Sequence, residues 1–202
     1  DEDYERFRPD EFELLDKEQN DGFVQPYSDS PHDTENVSEN IYMNIIERAK
    51  DYVYITTPYL ILDDAMETSL KNAAKAGVDV RIITPHIPDK KLVFEATRAS
   101  YMPLMKAGVK IYEYTPGFVH AKMFVSDDKL ATVGTANLDY RSLFLHFECG
   151  ALMYRSAAVS SVKADFLETF EKCHRCSIAE MKRCSPFGKA LAFVMKIIAP
   201  LL

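Results

Sequence analysis

At 202 residues the chain is long enough for one well-filled core, or one domain with tails, and too short for two full domains. Its 47% hydrophobic and 27% charged content excludes a disordered chain, and no apolar run reaches the length of a membrane span. The net charge of −7 is unevenly spread: residues 1–40 carry 14 acids against Arg6, Arg8 and Lys17, whereas residues 41–202 carry 17 acids against 21 bases. An acidic leader therefore precedes a mildly basic body, and a basic body suits a phosphate-bearing partner.

The four cysteines, Cys149, Cys173, Cys176 and Cys184, are too few and too clustered for a secreted disulfide scaffold, which points to a cytoplasmic setting. No signal-peptide pattern opens the chain, and Asp1 in place of Met reads as a fragment or a processed chain.

In chain order, residues 1–22 read as an acidic linker or leader. Phe23 to Tyr27 reads as a short strand closed by the turn residues Ser28 to Pro31. Asn36 and Glu39 have capping-box spacing ahead of a helical stripe, Ile41, Ile45, Ile46 and Ala49. Tyr52 to Thr57 is a strand ended by Pro58. Asp63 or Asp64 caps a helix stopped by Gly77. Val78 to Thr84 is a strand, Asp89 to Ala107 a helix with a kink expected at Pro103, and Val109 to Tyr114 the next strand. This alternation predicts an α/β layered domain with a largely parallel sheet.

After Thr115-Pro116-Gly117 the pattern changes. Phe118 to Ser126 and Lys129 to Val133 flank Asp127-Asp128 as a hairpin, a loop spans Gly134 to Ser142, and a strand follows around Phe144 to Tyr154. A helix from about Val159 to His174 is expected to close a domain spanning 23–172. Residues 173–202 form a basic tail in which Ser185 and Pro186 open a helix with Phe187, Leu191, Val194, Met195 and Ile198 on one face. Such a helix can lie on an anionic membrane or dock on protein, and both readings stay open. Tyr52, Tyr54 and Tyr59 are expected to pack. Cys173, His174, Cys176 and Cys184 lack the second pair that a zinc site of this kind needs, so no metal is expected.

The chemistry concentrates at Phe118 to Asp127. On a strand His120 and Lys122 point to the same side, while Val119, Ala121, Met123 and Val125 face the core. An imidazole beside an ammonium makes a poor core and a good anion site. The imidazole can attack phosphorus or move a proton, and the ammonium can hold the non-bridging oxygens.

His120-x-Lys122-x4-Asp127-x6-Gly134-Thr135, with Asn137 and Glu148 beyond it, resembles the HKD signature of the phospholipase D superfamily. Val24 to Pro31, Thr57-Pro58-Tyr59, Gly77 to Arg81, Gly108 to Tyr114 and Asn137 to Ser142 further resemble the C-terminal half of bacterial cardiolipin synthases. The resemblance implies an α/β/α sandwich with a mixed, largely parallel sheet. It also implies a metal-independent phosphoryl transfer without cofactors, in which two phosphatidylglycerol molecules give cardiolipin and glycerol at the cytoplasmic membrane face.

By the same resemblance, His120 is one of two catalytic histidines, taken here as the acid/base partner. Lys122 and Asn137 grip phosphate oxygens, Thr135 adds a hydroxyl donor, and Glu148 accepts from the far nitrogen of His120. Asp127 either orders the hairpin turn or acts in catalysis. The second histidine must come from a missing N-terminal half or a second copy of the chain; His32, His86, His146 and His174 lack the partner lysine and read as turn, loop or surface residues. Phosphatidylglycerol and anionic lipid, not nucleic acid, are the expected partners. The alternative within the same fold is a phospholipase D or a single-motif homodimeric phosphodiesterase or nuclease.

Overall fold

The structure is a computed structural model that describes residues 21–182. The first half builds β1 (Phe23–Asp29), α1 (Val37–Arg48), β2 (Tyr52–Thr56), β3 (Leu60–Ile61), α2 (Asp64–Lys75), β4 (Asp79–Pro85), α3 (Lys91–Ala107) and β5 (Lys110–Tyr114). The second builds β6 (Met123–Ser126), β7 (Leu130–Gly134), β8 (Leu138–Asp139), α4 (Tyr140–Phe144), β9 (Glu148–Tyr154), α5 (Ala157–Phe170), β10 (Cys173–Arg175) and α6 (Ile178–Lys182).

Eight strands form one mixed sheet in the order β1-β9-β7-β6-β2-β4-β5-β10, and β3 pairs with β8 in a second, two-stranded sheet. At the centre β2, β4 and β5 run parallel, as helix crossovers require, while β6, β7, β9 and β1 add antiparallel steps on one side. Strand β2 is buried along its whole length because both of its faces are covered. Val53 and Ile55 join a core with Tyr42, Leu70, Ile82, Leu104, Ile111 and Phe124 under α1, α2 and α3. Tyr52 and Tyr54 face the other way, into a smaller cluster with Val125, Phe166 and Phe170 under α5. This is the expected α/β/α sandwich, and Tyr52 and Tyr54 do pack, with ring centroids 4.5 Å apart.

Local signals and observed ends differ where a tertiary partner intervenes. Asn36 stands at the N-cap of α1 without a capping bond. Its amide donates instead to Glu39 (3.3 Å), and Asp29 at the end of β1 accepts from the Ser38 N–H (2.7 Å). Asp63 caps α2 as expected, accepting from Met66 N–H at 2.8 Å. Helix α3 ends at Gly108, whose φ of 109° lies in the region only glycine enters cheaply, and Pro103 sits inside it.

Helix α5 stops at Phe170, short of the expected end at His174, because Cys173–Arg175 pair antiparallel with the outer edge of β5. The sheet thus continues past residue 172, and Cys176 is buried behind it. At the other terminus Asp21 accepts from Ala157 N–H (2.9 Å) at the start of α5. Residues 1–20 and 183–202, which include most of the acidic leader, Cys184 and the amphipathic tail from Ser185, lie outside the described residues.

Strand β6 begins at Met123, not Phe118. Its partner β2 ends at Thr56, opposite Met123, so no strand remains on that side to pair with residues 118–122. On the other side the Gly134 N–H still donates to the Lys122 carbonyl (3.1 Å), and the alternation of faces carries through. Val119 and Met123 pack on the α5 side, whereas Phe124 enters the opposite core.

Candidate active site

His120 and Lys122 meet where β6 begins, at the same end of the sheet as the C-terminal ends of β2, β4 and β5. The Lys122 ammonium donates to the His120 carbonyl (2.7 Å) and lies 3.1 Å from each imidazole nitrogen. Equal distances to the two ring nitrogens place the ammonium against the ring rather than on the axis of either nitrogen. Lys122 is 8% exposed, and this burial pushes its ammonium below the ordinary range, while the carboxylates of Glu148 and Asp139 hold it up in part. An added anion would favour the charged form further.

The other expected residues divide. The Asn137 amide donates to Asp139 Oδ2 (3.0 Å) and Ser142 Oγ (2.9 Å), so both its N–H groups are committed. Its Oδ1 is buried with no hydrogen-bond partner, which leaves Asn137 offering an acceptor rather than the phosphate-gripping donor expected of it. The Thr135 hydroxyl bridges to Cys149, donating to its carbonyl (3.3 Å) and accepting from its N–H (2.9 Å). Thr135 thus ties the loop to β9.

Glu148 opens β9, opposite Asp29. Its ionic contact is with His146 (Nδ1 to Oε1, 3.8 Å), and among the described residues no hydrogen bond joins it to His120. The expected Glu148–His120 bond is therefore absent: the carboxylate sits near Lys122 and His146 instead.

Asp127 stands at the opposite end of β6 from His120, in the hairpin turn, with φ 53°. Its two carboxylate oxygens accept from the backbone N–H groups of Lys50 (2.8 Å), Asp51 (3.0 Å) and Tyr52 (2.9 Å). Burial works to raise its pKa, but the N–H groups of Tyr52, Lys50 and Asp51 and the charge of Lys129 outweigh it and hold the carboxyl below its usual range. Of the two readings left open for Asp127, the geometry favours the ordering of the turn: it clamps the entry to β2.

Near the His120–Lys122 pair, though lined by neither residue, lies a cleft of about 310 Å³ whose wall includes Tyr59, Lys90, Asn137, Asp139, Arg141 and His146. Tyr59 links it to the reactive pair: its ring stands 6.5 Å from Phe118, which is 5.8 Å from the His120 ring. Arg141 donates to His146 Nε2 at 2.7 Å. From the sequence, Lys90 and Arg141 carry no assigned role, Tyr59 is expected to pack, and His146 reads as a turn, loop or surface residue. The run Asn137 to Ser142 marked the neighbourhood, but the short β3–β8 pairing that folds it against Tyr59 left no periodic signal.

The described residues contain no cluster of three or more metal-ligating side chains, and none of their helices is long and apolar enough to cross a membrane. Cys173 donates its S–H to the Thr169 carbonyl.

Residues 42–170 match the family described as cardiolipin synthase, PLD-like domain. An uncharacterised protein of Streptococcus mutans is 53% identical over 90% of this chain and 39% of its own length. A cardiolipin synthase of Geobacillus kaustophilus is 39% identical over 92% of this chain and 37% of its own length. The chain thus spans less than two fifths of these relatives. Phosphatidylserine synthase from Haemophilus influenzae superposes with a TM-score of 0.72 at 14% identity, over 89% of this chain and 48% of that one, a likeness of fold. With a sandwich of this topology and a His120–Lys122 pair at its open end, the chain belongs to the cardiolipin synthase family of phospholipase D-like domains.

Proposed function

We propose that this chain supplies one histidine half-site of a cardiolipin synthase that moves a phosphatidyl group from one phosphatidylglycerol to another. The observation that carries the reading is the His120–Lys122 pair, with a buried ammonium 3.1 Å from the imidazole, beside a cleft lined by Lys90, Arg141 and Asn137. One histidine attacks phosphorus, the P–O bond to glycerol breaks, and the other histidine protonates the departing oxygen. That second histidine then takes the proton of the acceptor hydroxyl, whose oxygen displaces the first histidine. Two phosphatidylglycerols become cardiolipin and glycerol, and both histidines are restored. Here His120 is the acid/base partner and Lys122 follows the phosphate charge.

Exposed apolar side chains rim the same end of the sheet: Ile87, Leu92, Phe118, Leu145 and Phe147, the last 73% exposed. They suit acyl chains at an anionic membrane surface, or the face of a complementary half-site. Asp127 and Thr135 act by holding the scaffold, and Glu148 by its charge beside Lys122.

Because one chain brings one such histidine, the chain alone is expected to turn over phosphatidylglycerol weakly or not at all. Mixing it with a complementary half-site domain should restore cardiolipin synthesis in vesicles of phosphatidylglycerol. A stable homodimer with substantial turnover by itself would refute the two-half reading, and DNA cleavage without lipid turnover would favour a homodimeric nuclease.

A further inference from the structure

A carboxylate-oriented imidazole stands at this end of the sheet, and it is His86 rather than His120. His86 Nδ1 lies 2.7 Å from Glu113 Oε2. The Glu113 side chain is 1% exposed, and Arg98 reaches it through Nε (3.1 Å to Oε1) and Nη2 (3.5 Å to Oε2). With Arg98 on its other side, the Glu113 carboxylate serves as an acceptor, and Nδ1–H of the imidazole is the donor that matches it. That fixes the tautomer and leaves the Nε2 lone pair free on a ring that is 48% exposed. The backbone is fixed as well: His86 N–H donates to the Tyr114 carbonyl at 3.1 Å.

The register places His86 beside the reactive pair. Thr56 of β2 is opposite Met123 on one side and Ile83 on the other. His120 and His86 each stand three residues beyond that rung, so their backbones are about two strand spacings, roughly 10 Å, apart. They also share a face. Ile82, Ile111 and Phe124 all belong to the core under α1–α3, and His86, Glu113, His120 and Lys122 lie an even number of residues from them along their strands. The segment after His86 then enters the cleft, where Asp89 accepts from the Tyr59 hydroxyl (2.5 Å) and Lys90 forms part of the wall.

We propose that His86 is a binding residue for a polyol headgroup, its Nε2 accepting a hydrogen bond from a free hydroxyl, with Glu113 and Arg98 as its positioning residues. The proposal rests on the half-site reading above and deepens it: His120 and Lys122 take the phosphodiester, and His86 takes the hydroxyl-bearing end. The charges favour a hydroxyl over a second phosphate. Arg98 already pairs with Glu113, and with Nδ1–H donating to that carboxylate, Nε2 is left as an acceptor for a hydroxyl O–H, which a phosphodiester group lacks.

The test is imidazole 15N NMR on the 202-residue chain near neutral pH. Two probes are titrated: glycerophosphoglycerol, which carries free hydroxyls, and dimethyl phosphate, which carries none. His86 should show the Nδ1–H tautomer, and its Nε2 resonance should move with glycerophosphoglycerol alone, while the His120 signals move with both. His86→Gln should weaken glycerophosphoglycerol by about tenfold, one ordinary hydrogen bond's worth, and leave dimethyl phosphate unchanged. Glu113→Gln should mix the tautomers of His86 and blunt its response. Equal movement of His86 with both probes would show a phosphate contact and overturn the proposal. A silent His86 beside a responsive His120 would overturn it and leave the half-site standing. Silence of both histidines with both probes would remove the half-site reading, and the proposal with it.

Discussion

Replacing Asp127 separates a structural carboxylate from a catalytic one. Asp127→Ala removes the acceptor for three backbone N–H groups, those of Lys50, Asp51 and Tyr52. A hydrogen bond to a charged group contributes about 1.5–3 kcal/mol, but the Lys50 and Asp51 bonds are exposed and water replaces much of their loss. The Tyr52 N–H is partly buried and recovers less. Alanine at φ 53° adds roughly 1 kcal/mol that aspartate and asparagine largely avoid. The sum is about 2–4 kcal/mol, or a Tm lower by about 5–15 °C for a chain of this size. Asp127→Asn keeps an acceptor and the turn geometry and should cost about 1 kcal/mol.

The pH dependence follows from the depressed pKa of Asp127. Its contribution is fully present above the unfolded carboxyl pKa, about 4, and is lost as pH falls through the lower folded value. The stability gap between wild type and Asp127→Asn should therefore narrow in that acid window and stay constant above it. Thermal and urea unfolding at several pH values measure all of this. If Asp127→Ala melts within about 2 °C of wild type yet abolishes turnover in the reconstituted enzyme, the clamp reading is wrong.

Two further outcomes follow from the packing of β7 against β9 and the burial of the cysteines. A Cβ at Gly134 would stand 2.7 Å from the Cys149 carbonyl oxygen, so Gly134→Ala must shift β7 against β9 and should cost roughly 1–3 kcal/mol in urea unfolding; an unchanged midpoint would refute the close approach. Burial pushes the Cys173 thiol to about 11 and the Cys176 thiol to about 12, whereas Cys149 is exposed. Among the described cysteines, a thiol reagent followed by peptide mass mapping should label Cys149 first at neutral pH and reach Cys173 and Cys176 only on unfolding.

The sandwich was legible because strand-like segments alternate with helical stripes that have clear ends, Asp63 at one and Gly108 at another. The pairing of His120 with Lys122 was legible for a different reason. Alternation of faces holds in extended chain whether or not a partner strand is present, so the inference survived a strand that starts five residues later than expected. What failed were assignments of a side chain's partner. The donors of Asn137 are taken by Asp139 and Ser142, and Glu148 turns to His146, because α4 folds this loop back on itself. The Cys173–Arg175 strand was missed since three residues carry no period, and an exposed edge of β5 decides their fate. His86 was set aside for lacking a neighbouring lysine, whereas its partner, Glu113, lies 27 residues away across the sheet.

The central claim is that His120 is one histidine of a two-histidine phosphatidyl transfer. Its most direct test is the rate of glycerol release from phosphatidylglycerol vesicles by this chain combined with a complementary half-site, for wild type and for His120→Asn. Wild type should release glycerol and form cardiolipin in equal amounts, and His120→Asn should lose about 1000-fold in rate with its melting temperature unchanged. A His120→Asn enzyme within about tenfold of wild type would contradict the account, since general acid–base catalysis by a required histidine accounts for more than that.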